Sequence, residues 1–327
     1  MLWPLDTSEL LKLIQAQVRG RRAIFTDIDD TLIDSARRSR PIAAAWELRE
    51  WADLNTCPII LVSGADFASV LVRLNMGEVP PVEAVIGAVG TELWLRQSED
   101  GSWVHDRHYD KLMRASGFDR TAVAAQAAAL MNELNDHSPE LILTFQRTPE
   151  HLHKVSLYFF AEDEDVTFVA KEFQRAFPTY HVITCKEIHY NALLPEGSEV
   201  QKYCLDIVPA TKQTAITYLI EQLGITEGYK AGDSGNDVDM LLNPDPLLPI
   251  LVGGHKSEAR AALEQELRHK RPGLIQYLKD GRPIYIENGE RVAAQSILHA
   301  LAMVKGADTQ ASQQPSRLAT DQQTAAR

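Results

Sequence analysis

Apolar positions along the chain follow two periods, and their alternation predicts the order of elements. Residues 6–22, "DTSELLKLIQAQVRGRR", place Leu10, Leu11, Leu13 and Ile14 at helical spacing behind a polar start with Glu9 in the first turn, which predicts an N-terminal helix. The short apolar run "RAIFTD" predicts a strand, and "PIAAAWELREWADL" from Pro41 predicts an amphipathic helix with proline in its first turn. "PIILVSG" from Pro58 reads as a second, fully apolar strand. Strand, helix and strand in that order imply a parallel βαβ unit with a right-handed crossover. "VEAVIGAVGTELWL" (82–95) adds a further strand and a glycine-containing turn.

The rhythm breaks near Arg96. "RQSEDGSWVHDRHYD" is polar, an Ala-rich helix is predicted at 120–135, and "ELILTFQR", "HKVSLYFF" and "HVITCKEIHY" read as strands without intervening crossover helices. The rhythm returns with "TKQTAITYLIEQLG", a helix ending at Gly224, then "GYKAGDSGND" (strand and loop), "DMLL" (helix), "PILVGG" (strand) and "SEARAALEQELRHK", a helix capped by Ser257. The predicted fold class is α/β: a Rossmann-like parallel-sheet core at 22–95 and 201–305, split by an inserted α+β cap at 96–200. A helical extension at 1–21 precedes it. The tail at 306–327, rich in Gln, Ser, Thr and Ala with almost no large apolar side chains, is expected to be disordered.

Composition narrows the class of partner. With 327 residues, 45% of them hydrophobic, the chain can bury a substantial core. Its net charge of −12 argues against nucleic acid or an anionic membrane, both of which demand clustered Lys and Arg. Three widely spaced cysteines, Cys57, Cys185 and Cys204, suggest neither a disulfide framework nor a zinc site. A cytoplasmic location is expected, since neither a signal-peptide core nor a membrane-spanning apolar run is visible.

The charge is not evenly spread. "AIFTDIDDTLIDS" (23–35) concentrates four aspartates directly behind the first predicted strand, where like charges repel unless a cation is near. Asp27 and Asp29 stand at the carboxyl end of that strand, where open α/β sheets bind ligands, and Thr31 can hold the loop. "AGDSGNDVDM" (231–240) places Asp233, Asn236 and Asp237 behind another strand; it is not an EF-hand, because its glycine is misplaced and no glutamate closes it. Two acidic strand ends in one parallel sheet converge on one crevice, with oxygen ligands suited to Mg²⁺. Lys212 opens a helix whose N-terminus favours an anion, and Ser63 with Gly64 supplies a hydroxyl and backbone N–H groups for phosphate oxygens. Each signal alone is equally a turn or a solvated side chain; the reading rests on all of them together.

In this order, the acidic strand end, the Ser-Gly strand end, the helix-start Lys and Gly-Asp-x-x-Asn-Asp resemble the haloacid dehalogenase superfamily of phosphohydrolases, in particular members with an α/β cap between the second and third motifs. "VGTELW" (89–94), "HKVSLYF" (153–159), "LDIVPATKQTAITYL" (205–219) and "PIYIENGERVAAQSILHAL" (283–301) are similar to stretches of sucrose-phosphate phosphatases. The chain departs from them in its N-terminal extension, in Asp30 where Asn is frequent, and in Ser63-Gly64-Ala65 where Thr-Gly-Arg is usual. The resemblance implies an aspartyl-phosphate at Asp27 and acid/base work by Asp29. It also implies Mg²⁺ held by Asp27, the Asp29 carbonyl and Asp233, with Asn236 and Asp237 ordering its waters and Lys212. It further implies a sugar-phosphate substrate and, as candidate protein partner, a sugar-phosphate synthase. Specificity is expected from Thr91, Glu92, His153, Lys154, Ser156, Tyr158, His189 and Tyr190. A phosphatase for another osmolyte or hexose phosphate (glucosylglycerol or mannosyl type), a phosphohexomutase, a catalytically silent module on the same fold and a glycosidase using an Asp pair remain the alternatives.

Overall fold

Side chains of Arg22–Thr26 alternate between two apolar clusters, Ala23 and Phe25 entering one and Ile24 the other, because successive strand residues point to opposite faces. A strand buried on both sides belongs in the middle of a parallel sheet, and that is where it lies. The computed structural model describes residues 21–34, 43–97, 101–137, 142–145, 151–186, 200–289 and 291–313. In chain order its strands are β1 (Arg22–Thr26), β2 (Ile59–Val62), β3 (Ala84–Gly87), β4 (Glu92–Arg96), β5 (Trp103–His105), β6 (Ile142–Phe145), β7 (Val155–Ala161), β8 (His181–Lys186), β9 (Gln201–Val208), β10 (Glu227–Gly232), β11 (Leu247–Leu251), β12 (Ile275–Tyr277) and β13 (Pro283–Ile286). Its helices are α1 (Ala43–Leu54), α2 (Phe67–Asn75), α3 (Arg107–Ala115), α4 (Arg120–His137), α5 (Asp163–Ala176), α6 (Lys212–Leu223), α7 (Val238–Leu242), α8 (Ser257–Glu266) and α9 (Ala294–Gln313).

Nine strands among the described residues form the large sheet, in the order β12-β13-β11-β10-β1-β2-β3-β4-β5. The pairs from β13 through β3 are parallel, and β12, β4 and β5 join antiparallel at the two edges. Helices α3, α6, α7 and α8 cover one face through Tyr109, Met113, Ile216, Leu219, Met240 and Leu263. Helices α1, α2 and α9 cover the other through Leu48, Val70, Ile297 and Leu301. The chain runs from β1 outward to β3 in one direction and from β10 outward to β13 in the other, so the topological switch point falls between β1 and β10. The sheet's ligand crevice opens at the carboxyl ends of those two strands.

A second, antiparallel sheet, β6-β7-β9-β8, is the cap. One face is apolar: Leu157, Phe159, Leu205 and Ile207 pack with Val123 and Ala127 of α4 and Val169 and Phe173 of α5. The opposite face carries Ser156, Tyr158, Cys204 and Asp206 and meets the core, where Lys154 Nζ donates to the carbonyl of Gly64 at 3.3 Å.

The sheets correct both expected boundaries of the insert. Trp103–His105 extends the large sheet beside β4, and α3 packs into the core, so these two elements are not cap. Gln201–Val208 pairs with β7 and β8, so the cap runs on through Val208; its alternation of Tyr203, Leu205 and Ile207 inward fits a strand packed on cap helices. Ser257 is the first residue of α8, with Lys256 as its N-cap. The tail expected to be disordered from 306 is helical as far as Gln313, because extending a formed helix costs far less than nucleating one. Residues 1–20, 314–327, His189 and Tyr190 lie outside the described residues. No helix among the described residues is long and apolar enough to cross a membrane.

One turn ties the two halves of the core. Gly90 has φ +104°, its carbonyl accepts the Tyr109 hydroxyl proton at 2.6 Å, and a Cβ there would sit 2.1 Å from the carbonyl oxygen of Thr211, the N-cap of α6. Gly90→Ala is therefore expected to destabilise the protein by roughly 2–4 kcal/mol, read as a lower urea midpoint at unchanged slope; a wild-type midpoint would contradict this packing.

Candidate active site

Asp27 is the first residue beyond β1, and its N–H donates to the Ala231 carbonyl of β10 at 3.0 Å, so sheet pairing itself places this side chain at the switch point. On β10 the corresponding position is Gly232, followed by Asp233. A Cβ on Gly232 would lie 2.4 Å from the Asp237 Cβ, so this position is glycine because the Asp237 side chain occupies the space. Thr211 caps α6 and delivers Lys212 into the same crevice.

The Lys212 ammonium, 1% exposed, donates to Asp27 Oδ1 at 2.8 Å, Asp237 Oδ1 at 2.7 Å and Asn236 Oδ1 at 3.2 Å. Three donors meet three acceptors, which satisfies a buried ammonium completely. Asp237 Oδ2 in turn accepts from the N–H groups of Asp233 and Ser234 and from the Ser234 hydroxyl, all at 3.1 Å. Thr31 donates to Asp233 Oδ1 at 2.9 Å, and Lys256 stands 3.6 Å from Asp233 Oδ2 and 2.8 Å from Asp30 Oδ2. Asp30 adopts a left-handed conformation, φ 59°, in making this turn.

One oxygen from each of Asp27, Asp233 and Asp237 lies within 4.8 Å of the others, and all three residues are buried. Two full charges at that separation repel by roughly 3.5 kcal/mol at an effective dielectric of 20. Burial accordingly pushes Asp27 up to about 7, with Lys212 opposing and Asp237 reinforcing. Asp233 is driven well above the carboxylate range by burial, then by Asp237 and Asp27, against Lys256 and Thr31. Burial pulls Lys212 down, but Asp237 and Asp27 outweigh it and hold the ammonium firmly charged. Without a further cation the three carboxyls therefore resist being ionised together in this buried, all-oxygen setting. A hard divalent cation fits that donor set, whereas Asp237, with both oxygens already engaged, fits a role in orienting Lys212.

The remaining predicted residues divide between the core and the cap. Ser63 is buried at the end of β2, and its Oγ accepts from the Ala65 N–H at 3.1 Å; Gly64 lies against Asn236. Asp29 is partly exposed and held in a two-pronged pair by Arg73 of α2, at 2.9 and 3.1 Å. Thr91 is buried and bonded to the Ala88 carbonyl, which makes it part of the turn. Glu92 accepts from the Phe67 N–H at 3.1 Å and faces His151 at 3.7 Å; burial pushes it up, but His151 and the Phe67 N–H prevail and hold it low. Lys154 is buried against Asp206 at 3.4 Å, Ser156 donates to Asp206 Oδ1 at 2.5 Å, and the Tyr158 ring lies under the Lys202 ammonium. Buried His153 stands 3.5 Å from Asp110.

Three residues at the site escaped the sequence reading. Arg73 is the single charge in the helix "FASVLVRLN", and Lys256 follows β11, the next strand end along. Asp206 is the one acid in "QKYCLDIV", a strand read as the start of the core.

The model of the family described as sucrose-6F-phosphate phosphohydrolase matches residues 20–275. No curated protein matches the chain by sequence. Among solved structures, the sucrose-phosphatase of Synechocystis sp. PCC6803, determined in complex with sucrose and phosphate, shares 16% identity over 87% of this chain and 98% of its own, with a TM-score of 0.61. The haloacid dehalogenase-like hydrolase protein yhjK of Bacillus subtilis shares 17% identity over 87% of this chain and 92% of its own, at a TM-score of 0.47. The subclass IIB sugar phosphatase BT4131 shares 18% over 74% and 91%, also at 0.47. With a family model matched across most of its length, on a sheet whose switch point gathers these carboxylates, the chain belongs to the sucrose-6F-phosphate phosphohydrolase family.

Proposed function

We propose that this phosphoric monoester hydrolase is a Mg²⁺-dependent phosphatase acting on sucrose 6-phosphate through an aspartyl-phosphate at Asp27. The observation that carries the reading is the buried group of Asp27, Asp233 and Asp237 around Lys212 at the switch point, beneath a cap face that presents Lys154, Ser156 and Asp206. Membership of a phosphohydrolase family sets the glycosidase reading aside.

Lys212 ties Asp27 through Oδ1, which leaves Oδ2 to attack phosphorus. Ser63 and the backbone N–H groups beside it receive the phosphoryl oxygens, and the Lys212 charge, its donors held by Asp27, Asn236 and Asp237, adds to the electrostatic stabilisation that a slow phosphate hydrolysis needs. Asp29 gives a proton to the departing sugar oxygen and later takes one from the water that hydrolyses the intermediate. Its pair with Arg73 orients the carboxyl and must open for the proton to move. Asp27, Asp233 and the Asp29 carbonyl would hold Mg²⁺, which when bound would supply charge neutralisation for the transferring group. On the cap, the Lys154 ammonium and the Asp206 carboxylate offer a donor and an acceptor to sugar hydroxyls, and Glu92 adds a second acceptor from the core side.

Phosphate release should be fastest with sucrose 6-phosphate among a panel including glucosylglycerol phosphate and simple hexose phosphates. It should vanish in EDTA and return with Mg²⁺; turnover that persists in chelator, or preference for a simple hexose phosphate, rejects the corresponding part of the proposal. Asp27→Asn should lower kcat by at least about 10³-fold with an unchanged circular-dichroism spectrum, and an active, folded variant would exclude Asp27 as nucleophile.

The raised Asp27 carboxyl has a consequence for stability. Its folded value, about 7, lies above the ordinary 3.8, so between those limits the metal-free fold binds a proton that the unfolded chain does not. This contribution is fully present below about pH 4 and is lost as pH rises through 7, with a slope of at most about 1.4 kcal/mol per unit. Urea unfolding of the metal-free protein from pH 4.5 to 8 should show this decline, and Asp27→Asn should flatten it; identical slopes for both proteins would refute the assignment.

A further inference from the structure

Two of the three cysteines face each other across the cap, and the proposed reaction uses neither. Cys185 of β8 and Cys204 of β9 are directly opposed in the antiparallel register. Opposed residues in such a ladder have Cα atoms about 4.5–5.5 Å apart, inside the span of about 4.4–6.8 Å that a disulfide bridges. Tyr203, Leu205 and Ile207 enter the cap's apolar cluster, so Cys204 and its partner Cys185 stand on the other face, with Ser156 and Asp206. That face meets the core: a Cβ on Gly235 would lie 3.6 Å from the carbonyl of Thr184, the residue before Cys185. Cys204 is buried and Cys185 half-buried, while Cys57 lies in the core on the other sheet.

We propose that Cys185 and Cys204 form a reversible disulfide that retunes the Asp206 corner of the cap. Cys204 Sγ lies 3.7 Å from Asp206 Oδ1, the same oxygen that accepts from Ser156, so the thiol is a third group on that carboxylate beside Lys154 and Ser156. Cys185, the more accessible thiol, attacks a small-molecule disulfide such as oxidised glutathione as its thiolate, releasing one thiol and leaving a mixed disulfide. Cys204 then passes its proton to Asp206 or to water and displaces the second thiol, closing the Cys185–Cys204 bond. Two protein thiols are oxidised and one external disulfide is reduced. Contact with Cys185, then burial, raises the Cys204 thiol well above its ordinary value, which suits it to the resolving rather than the attacking role. Cys57, pushed up to about 12 by burial, takes no part.

The effect on catalysis rests on the proposed sugar-phosphate activity, but the bond itself does not. The full chain is equilibrated in graded ratios of oxidised to reduced glutathione, alkylated and peptide-mapped, and the same samples are assayed with sucrose 6-phosphate and with p-nitrophenyl phosphate. The expected result is a peptide pair linking Cys185 to Cys204, lighter by two hydrogens, with Cys57 alkylated only after denaturation. With it, KM for the sugar phosphate changes about threefold to tenfold, the scale of one altered hydrogen bond, while kcat for the aryl phosphate moves less. Dithiothreitol should reverse both, and Cys185→Ser should match the reduced enzyme at every ratio. Cys185 recovered only as a glutathione adduct, or no linked peptide at any ratio, overturns the proposal; so does a linked peptide with both kinetic parameters unchanged. A linked peptide in a protein inactive on every phosphate ester supports the disulfide and rejects the proposed substrate instead.

Discussion

One buried ammonium organises the centre of this molecule. Lys212 sits among Asp27, at the end of β1, and Asn236 and Asp237, in the tight turn after β10, and its full set of donors is used there. Removing it would leave buried carboxylates facing one another without compensation, which is among the more destructive changes a core can suffer. The helix that carries it is fixed in turn by Thr211 at its cap and by Gly90, whose missing side chain lets a distant turn press against the Thr211 backbone. The charge balance of the site, the start of α6 and the packing of the first half of the sheet on the second are thus one problem with one solution.

Strands that are short, apolar and β-branched announce themselves, and β1, β2, β3 and β11 were legible from their residues alone. So were α6, with its terminal glycine in a left-handed conformation, and the Ala-rich α4. The insert was legible as an interruption of rhythm but not in its limits. β9 reads like the core because it runs straight into α6, and β5 was hidden in a polar segment because an edge strand of three residues buries little. The helices α3 and α5 are polar enough along most of their lengths to pass for loops.

At the site, the aspartates and Lys212 could be found because each follows a strand or opens a helix, so position along the chain already implies position in space. Arg73, Lys256 and Asp206 carry no such mark. Their placement depends on how far a long side chain reaches from α2, on a third strand end, and on which face of a cap strand turns toward the core. Those facts belong to tertiary packing. The substitution of Asp30 for the frequent Asn gains its partner only in three dimensions, where Lys256 stands beside it and beside Asp233.

The bond from the Asp27 N–H to the Ala231 carbonyl is an ordinary rung of a parallel ladder. Its presence beneath the reacting group means that the separation of the two acidic loops is counted in whole residues. A slip of one residue shifts a strand by about 3.3 Å and turns each side chain to the opposite face. Geometry set in this way has no neighbouring values to drift into: the spacing either holds or is lost outright. Change in such a protein is therefore channelled into the cap, whose side chains can be exchanged while the frame underneath keeps its measure.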